Sequence, residues 1–481
     1  MPANYNVDVP GLEDAHIVGK SVDGLLTAIA PGVLLAVAVT LLSIVSALHA
    51  LLHKRDPRAA LGWIVFCIAV PVVGAIGYYL LGINRIKATA NRLRRASGIE
   101  VESVSVADRA VHNHDDRTSG NVVRPLFDGE AAYPAMLEAI RAANETVFLS
   151  QYIFESRGIG GEFVESLAAA AHSGVNVRVL IDGVGDLYAW GSIVRILRKR
   201  GVEVVKFLPL RLLPPALHLN LRNHRKILVV DCNVAFVGGM NIRNACITTD
   251  RAESRAIKDV NFAFRGPIVA DIESVFRNDW YYATGVRLGT TESVVTSMGD
   301  ADCRVTIDGP DNATDILSLR IQAAISLAKW RVRLQTPYFL PTREIIGALQ
   351  TAVLRGVDVE IVLPFRSNLP YVHWATRNML WELLQYGVRV YYQAGPFDHS
   401  KILIADDNYC LVGSANIDPR SLRLNFEIGV EVWSDSLAAS MNQHLDEILG
   451  RSSELTLAQA DGRSLVVRIR DSAAWLMSPY L

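Results

Sequence analysis

Two copies of the pattern His-x-Lys-x-x-x-x-Asp contain the residues of this chain that are best suited to catalysis. In each copy an asparagine follows seventeen residues after the histidine, in the context Gly-Gly-Met-Asn or Gly-Ser-Ala-Asn. The matched residues are His224, Lys226, Asp231 and Asn241 in the first copy, and His399, Lys401, Asp406, Ser414 and Asn416 in the second.

These residue types favour chemistry at a phosphate. Lysine and amide side chains stabilise the negative charge that develops on the oxygens of a phosphoryl transition state. One neutral histidine can attack phosphorus, and the other, when protonated, can donate a proton to the leaving alcohol. Because alternate side chains of a strand share a face, the His-Lys pair of each copy is predicted to point into one common pocket. This scheme requires no metal and no cofactor.

Four acidic residues belong to the same candidate site. Asp259 and Glu427 lie at comparable distances beyond the two motifs, and a carboxylate that binds one ring nitrogen holds a histidine in the correct tautomer. Asp231 and Asp406 complete the motifs and are counted with the catalytic set. Their odd spacing from the histidines nevertheless predicts hydrogen bonds at strand ends and a structural role.

A longer repeat surrounds the motifs. Tyr152 and Tyr338 follow similar buried strands and are 186 residues apart, as are Gly201 and Gly387. Strands alternate with helices in both halves, which predicts an α/β fold with a mostly parallel sheet. The predicted domains are residues 123–300 and 301–481, two α/β layers that face one another with the active site between them.

The N-terminal part is apolar enough to enter a membrane. No Asp, Glu, Lys or Arg occurs from Gly24 to Leu52 or from Ala59 to Asn84. Each run is long enough for a hydrocarbon core of about 30 Å. We predict a tail at residues 1–24, a two-helix transmembrane hairpin at 25–84, in which Pro71 can bend the second helix, and a linker at 85–122.

The distribution of basic residues predicts which side of the membrane the catalytic part faces, and the net charge argues against one class of partner. Three basic residues lie between the two apolar runs and five follow the second run, so the catalytic part is expected on the cytoplasmic side of a multi-pass protein. The whole chain has a net charge of −1, which argues against nucleic acid as a partner. Five cysteines without metal-binding spacing predict reduced thiols and no metal site.

The duplicated motif resembles that of the phospholipase D superfamily, and the whole arrangement is similar to bacterial cardiolipin synthases with an N-terminal membrane hairpin. The resemblance also includes Arg58–Ile64, Asn220–Lys226 and Gly413–Ser421. It implies two homologous α/β sandwich domains in an enzyme of the bacterial inner membrane, with membrane phospholipids as its partners. The implied reaction transfers a phosphatidyl group from one phosphatidylglycerol to another through a phosphatidyl-histidine, giving cardiolipin and glycerol.

The same resemblance implies His224 as the nucleophile and His399 as the acid and base. The segment Arg243–Cys246 departs from the family pattern, so the acceptor stays open. Phosphatidylethanolamine as the second substrate, or water in a hydrolase of the same superfamily, are alternatives. A non-catalytic scaffold is disfavoured because both motifs are complete. The oligomeric state is not predicted.

An apolar, proline-rich segment at residues 207–217 precedes the first motif. We predict either that Leu212 and Leu213 enter the membrane interface beside the pocket or that the segment covers the domain junction.

Overall fold

The computed structural model divides the chain into two compact units, residues 1–88 and 89–481. Most of the predicted linker and residues 210–217 of the proline-rich segment lie outside the described residues. The described residues are 12–54, 57–82, 116–188, 191–209, 221–249, 252, 255–289, 296–309 and 315–478, with side chains of the first helix described from residue 32 onward.

The first unit is helical. Its helices are α1 (Leu12–His53), α2 (Pro57–Ala69) and α3 (Pro71–Gly77), and a π-helical turn follows at Tyr78–Gly82. Helix α1 begins inside the segment predicted to be a tail, because no residue from 12 to 24 stops a helix and acidic residues near its start favour an N-terminus. Within α1, Gly32–His53 is long and apolar enough to cross a membrane.

The second apolar run is divided into two helices. The division lies at Pro71, as predicted, because proline lacks the backbone N–H and its ring clashes with the preceding turn. Gly74 lies so close to the preceding helix that a Cβ there would be 2.3 Å from the carbonyl oxygen of Phe66. His49 of α1 lies 2.8 Å from the hydroxyl of Tyr78, so the two runs contact each other. A hairpin in which both runs cross a membrane stays a prediction.

The second unit alternates strands with helices. Its strands are β1 (Thr118–Phe127), β2 (Thr146–Gln151), β3 (Asn176–Asp182), β4 (Glu203–Phe207), β5 (Ile227–Val230), β6 (Val234–Gly238), β7 (Ile257–Lys258), β8 (Val260–Arg265), β9 (Ala301–Asp308), β10 (Arg331–Gln335), β11 (Asp358–Pro364), β12 (Arg389–Gln393), β13 (Phe397–Asp398), β14 (Ile402–Ala405), β15 (Tyr409–Gly413), β16 (Glu427–Trp433) and β17 (Ser452–Leu455).

The helices of this unit connect those strands or follow them. They are α4 (Asp128–Arg141), α5 (Ile159–His172), α6 (Ile193–Lys199), α7 (Ile268–Thr284), α8 (Ile316–Leu327), α9 (Arg343–Leu354), α10 (Pro370–Met379), α11 (Trp381–Leu384), α12 (Pro419–Arg423), α13 (Asp435–Leu449), α14 (Leu457–Asp461) and α15 (Leu465–Leu476). The first half of the unit comprises β1 to α7, and the second half comprises β9 to α15.

Fifteen strands form one sheet in the order β17-β12-β11-β10-β14-β15-β16-β9-β1-β8-β6-β5-β2-β3-β4. The halves therefore lie side by side, joined by β1 and β9, and the prediction of two layers that face one another is wrong. The sheet is also mixed rather than mostly parallel. Helical crossovers make β2-β3-β4 and β10-β11-β12 parallel, but short turns join β5 to β6 and β14 to β15, and a short turn forces antiparallel pairing.

Helices cover both faces of the sheet. In β2, Val147 and Leu149 point into a core that includes residues of α4 and α5. The side chain between them, Phe148, points to the other face and stacks on Phe276 of α7 at 5.0 Å. A separate core in the second half contains residues of α8, α9 and α10. The predicted domain boundaries at 123, 300 and 481 stay a prediction, although each half has its own core.

Candidate active site

The two motif histidines lie in extended segments just before β5 and β14, not inside the strands as predicted. Each segment is fixed by a short parallel bridge to the other half. The backbone N–H of His224 donates to the carbonyl of Phe426 at 2.9 Å, and that of His399 donates to the carbonyl of Lys258 at 2.7 Å. The two bridges are equivalent under the internal repeat, so the histidines meet where the halves join.

Each histidine is paired with an acid from the opposite half. His224 Nδ1 lies 2.9 Å from Oε1 of Glu427, and His399 Nδ1 lies 3.0 Å from Oδ2 of Asp259. The predicted acids are therefore brought to the predicted histidines, but across the junction between the halves. At His224, the carboxylate of Glu427 places the proton of a neutral ring on Nδ1 and leaves the lone pair of Nε2 available for chemistry.

The two acids have different surroundings. Glu427 also accepts hydrogen bonds from the hydroxyl of Ser414 at 2.5 Å and from the amide of Asn425 at 3.2 Å. Burial opposes its ionisation, but His224, Lys226 and Ser414 together hold the pKa of Glu427 below its usual value. The position of Ser414 in the first half is Gly239, which has no hydroxyl to donate.

Asp259 accepts fewer side-chain hydrogen bonds from the protein than Glu427 does. Its Oδ1 is buried and has no hydrogen-bond partner among the described residues. Burial is the main reason that its pKa rises to about 8. A Cβ at Gly239 would lie 2.8 Å from this Oδ1 and 3.0 Å from Nζ of Lys401, so a larger residue there would have to displace the carboxyl group or the ammonium group. The two histidine-acid pairs thus differ in charge, with an ionised Glu427 and a neutral Asp259 at neutral pH.

Both motif lysines lie beside the histidines and are almost fully buried. Nζ of Lys226 donates to the carbonyl of His224 at 2.6 Å, and Nζ of Lys401 lies 2.9 Å from Nδ1 of His399. Burial lowers the pKa of Lys226 to about 7 and that of Lys401 to about 8. A buried cation that the protein does not fully solvate favours an anionic ligand, because the negative charge of the ligand offsets the solvation free energy that the cation loses on burial.

The other predicted residues divide into two groups. Asn241 and Asn416 are buried. Asn241 Oδ1 accepts from the N–H of Ile153 at 3.0 Å, and Oδ1 of Asn416 has no partner among the described residues. Asp231 and Asp406 instead lie beyond the far ends of β5 and β14. Asp231 binds the backbone N–H groups of residues 144–146, and Asp406 binds those of 329–331, as their predicted structural role requires.

Comparison with known proteins identifies the family. A family model described as cardiolipin synthase, PLD-like domain matches residues 136–280 and 321–449, and one described as phospholipase D-nuclease N-terminal matches residues 41–82. A cardiolipin synthase of Geobacillus thermodenitrificans is 31% identical over 89% of this chain and 90% of its own length. The chain belongs to the cardiolipin synthase family of the phospholipase D superfamily.

A further relative agrees with this assignment, and a solved structure shows the fold. The major cardiolipin synthase of Bacillus subtilis is 30% identical over 89% of this chain and 95% of its own length. The crystal structure of phosphatidylserine synthase from Haemophilus influenzae superposes with a TM-score of 0.60 over 78% of this chain and 100% of that chain, at 15% identity, which shows the same fold. The chain is thus an enzyme of the phospholipase D superfamily with phospholipid substrates.

Sequence reasoning did not identify Arg225, which lies between His224 and Lys226 of the first motif. Its buried side chain points away from the pocket and contacts Asp279. It also donates to the carbonyls of Glu427 and Asp308 in the second half, both at 3.0 Å. Arg225 therefore fixes the partner acid of its own neighbour, His224. Alternation along an extended segment is the signal that could have indicated its opposite direction.

Two tyrosines next to the histidines were noted as repeat positions but not as site residues. The ring of Tyr152 meets that of His224 edge-on at 5.2 Å, and Tyr338 meets His399 at 6.2 Å. Each tyrosine follows the strand that pairs with β5 or β14. Their recurrence at the same place in the repeat was the available signal.

Proposed function

We propose that the enzyme transfers a phosphatidyl group from one phosphatidylglycerol to the free primary hydroxyl of another, and releases cardiolipin and glycerol. The strongest support is that two histidines, each paired with an acid of the opposite half, converge at one place with two buried lysines. Two histidines allow a double displacement, in which one forms a covalent intermediate while the other moves protons.

We assign His224 as the nucleophile. Burial lowers the pKa of His224 to about 4, so the ring is neutral at physiological pH, and Glu427 accepts from Nδ1. Nε2 attacks phosphorus, a P–N bond forms, and the P–O bond to the headgroup glycerol breaks with its electron pair on oxygen. The resulting cationic phosphatidyl-imidazole is stabilised by the ionised carboxylate of Glu427.

The departing glycerol oxygen takes a proton from His399. The His399–Asp259 pair holds a proton at neutral pH, because burial raises the pKa of Asp259 to about 8. Burial and the nearby lysines lower the pKa of His399, but the negative charge of a bound phosphodiester opposes the lysines and returns the proton to the ring.

The second step reverses these roles. His399 removes the proton from the hydroxyl of the second phosphatidylglycerol, the alcohol oxygen attacks phosphorus, and the P–N bond to His224 breaks. Cardiolipin leaves, and the proton on the His399–Asp259 pair is restored. Lys226 and Lys401 stabilise the phosphoryl oxygens in both steps. Net proton uptake is zero over the cycle.

We further propose that both apolar runs of the N-terminal unit cross the inner membrane as a hairpin, with the catalytic part in the cytoplasm. Gly32–His53 has the length and hydropathy of a full span. The second run is apolar throughout, and its pieces contact α1. Five basic residues after the second run favour the cytoplasmic side for the catalytic part.

Mass spectrometry of lipids after incubation of the detergent-purified protein with phosphatidylglycerol alone tests the reaction. Cardiolipin with released glycerol is expected, and both products are expected to be absent from His224→Ala and His399→Ala. Phosphatidic acid without cardiolipin, both with phosphatidylglycerol alone and after addition of phosphatidylethanolamine, would refute transfer and indicate a hydrolase. Cardiolipin that forms only after addition of phosphatidylethanolamine would identify that lipid as the second substrate.

A further inference from the structure

The two halves differ at the position two residues after the motif asparagine. In the second half this position is Asp418, which is buried and caps α12 by accepting from the N–H of Ser421 at 2.7 Å. In the first half it is Arg243, whose side chain is 34% exposed. The internal repeat therefore places a partly exposed cation in the first half where the second half has a buried carboxylate.

The backbone around Arg243 is held firmly. The hydroxyl of the buried Tyr133 donates to the carbonyl of Asn241 at 2.7 Å and accepts from the N–H of Arg243 at 3.2 Å. Ile242, between them, points into the core of the first half. Arg243 has extended dihedrals, so its side chain points away from that core on the same side as Asn241.

The protein partner of Arg243 orients its guanidinium group but does not occupy all of its hydrogen-bond donors. Its Nε donates to Glu155 at 3.2 Å. Among the described residues, the structure gives its Nη groups no hydrogen-bond acceptor. One carboxylate therefore fixes the direction of the side chain, while two donor groups remain available for a ligand.

Arg243 acts across the junction on the second half. Its positive charge contributes to lowering the pKa of His399, after burial, the two lysines and His224, and it partly opposes the rise that burial causes in the pKa of Tyr338. Tyr152, which lies against His224, is instead influenced by the charges of Arg420 and Arg222. Arg243 therefore lies on the side of the histidine that activates the acceptor.

Transfer to phosphatidylglycerol has a charge requirement that transfer to a simple alcohol lacks. The acceptor contains its own phosphodiester, separated from the attacking hydroxyl by the three carbons of the glycerol headgroup. Lys226 and Lys401 serve the reacting phosphate. Without a second cation, two phosphodiesters in one pocket would repel each other. An arginine fork matches a phosphate by two parallel hydrogen bonds.

We propose that Arg243, oriented by Glu155, binds the spectator phosphodiester of the acceptor lipid and thereby makes the site selective for an anionic acceptor over a free alcohol. This inference rests on the proposed function, because it concerns the second substrate of that reaction.

Phosphatidylglycerol and free glycerol differ only by the phosphatidyl group, so a comparison of the two as acceptors tests the proposal. The purified full-length protein is given phosphatidylglycerol together with deuterated glycerol. Cardiolipin formation reports attack by phosphatidylglycerol, and deuterium in phosphatidylglycerol reports attack by free glycerol on the same phosphatidyl-enzyme. In Arg243→Gln, the ratio of cardiolipin formation to glycerol exchange is expected to fall about tenfold or more, the effect of losing a charge-assisted contact. Arg243→Lys is expected to restore part of the ratio.

The control is Arg265→Gln, which removes the same charge from an exposed position at the end of β8 and is expected to leave the ratio unchanged. An unchanged ratio in Arg243→Gln, or an equal loss of both reactions, would overturn the inference, since the second result indicates a structural role. Absence of cardiolipin with the unsubstituted protein would instead refute the proposed function.

Discussion

Replacement of Glu427 by glutamine tests the pairing across the halves most directly. The carboxylate accepts from His224, Ser414 and Asn425, and its charge faces the imidazole that becomes cationic in the proposed mechanism, when the phosphatidyl group is attached. Glutamine keeps the size and can still accept through one oxygen, but it removes the charge. A hydrogen bond to a charged group contributes about 1.5–3 kcal/mol, so glycerol release is expected to slow by about tenfold to a hundredfold.

The assay is single-turnover release of glycerol from phosphatidylglycerol, normalised to the folded fraction. Glu431→Gln is the matched control, since Glu431 is equally buried on the same strand, β16, but binds Arg304 at 2.7 Å. That variant is expected to lose stability and to keep its rate per folded molecule. A loss of less than about threefold in Glu427→Gln, or an equal loss in both variants, would refute the role of Glu427 in stabilising the intermediate.

Three further predictions concern the ionisable and structural residues. The value of kcat/KM is expected to fall as the pH rises from about 7 to about 8, because Lys226 then loses its charge and Asp259 its proton; a pH profile that rises there would contradict the assignment. Asp231→Ala is expected to lower the free energy of unfolding by about 1–3 kcal/mol, because it leaves backbone N–H groups without an acceptor. Denaturant titration measures this change. A fall in kcat at unchanged stability would instead show a catalytic role. Gly239→Ala is expected to lower kcat about tenfold or more, because its Cβ would displace Asp259. The control is Gly347→Ala, which has open space around it and is expected to keep kcat. Equal rates in both variants would contradict the close approach at Gly239.

The residue types of the site could be predicted from the sequence because they occur twice. A single histidine or lysine has many structural explanations, but His224 and Lys226 recur as His399 and Lys401 within a longer repeat. Local geometry also predicted the separate role of Asp231, since an odd spacing places it away from its histidine. The break at Pro71 follows from the chemistry of one residue.

The strand directions and the layer arrangement could not be predicted in the same way. Helix-strand alternation suggested a mostly parallel sheet, yet the motif strands β5 and β14 enter short turns and become antiparallel. Whether two similar halves face one another or join edge to edge depends on the pairing of β1 with β9, and backbone hydrogen bonding between two strands does not depend on a particular sequence.

The sequence by itself determined the candidate catalytic side chains, the duplication and the apolar N-terminal helix, because composition and spacing along the chain are sufficient for each. The tertiary structure alone decided which acid serves which histidine. Glu427 is 203 residues from His224, and Asp259 is 140 residues from His399, so no local pattern relates them. Only the junction of the two halves brings each acid to the histidine of the other. Burial there raises the pKa of Asp259, whereas the partners of Glu427 outweigh burial and keep its pKa low.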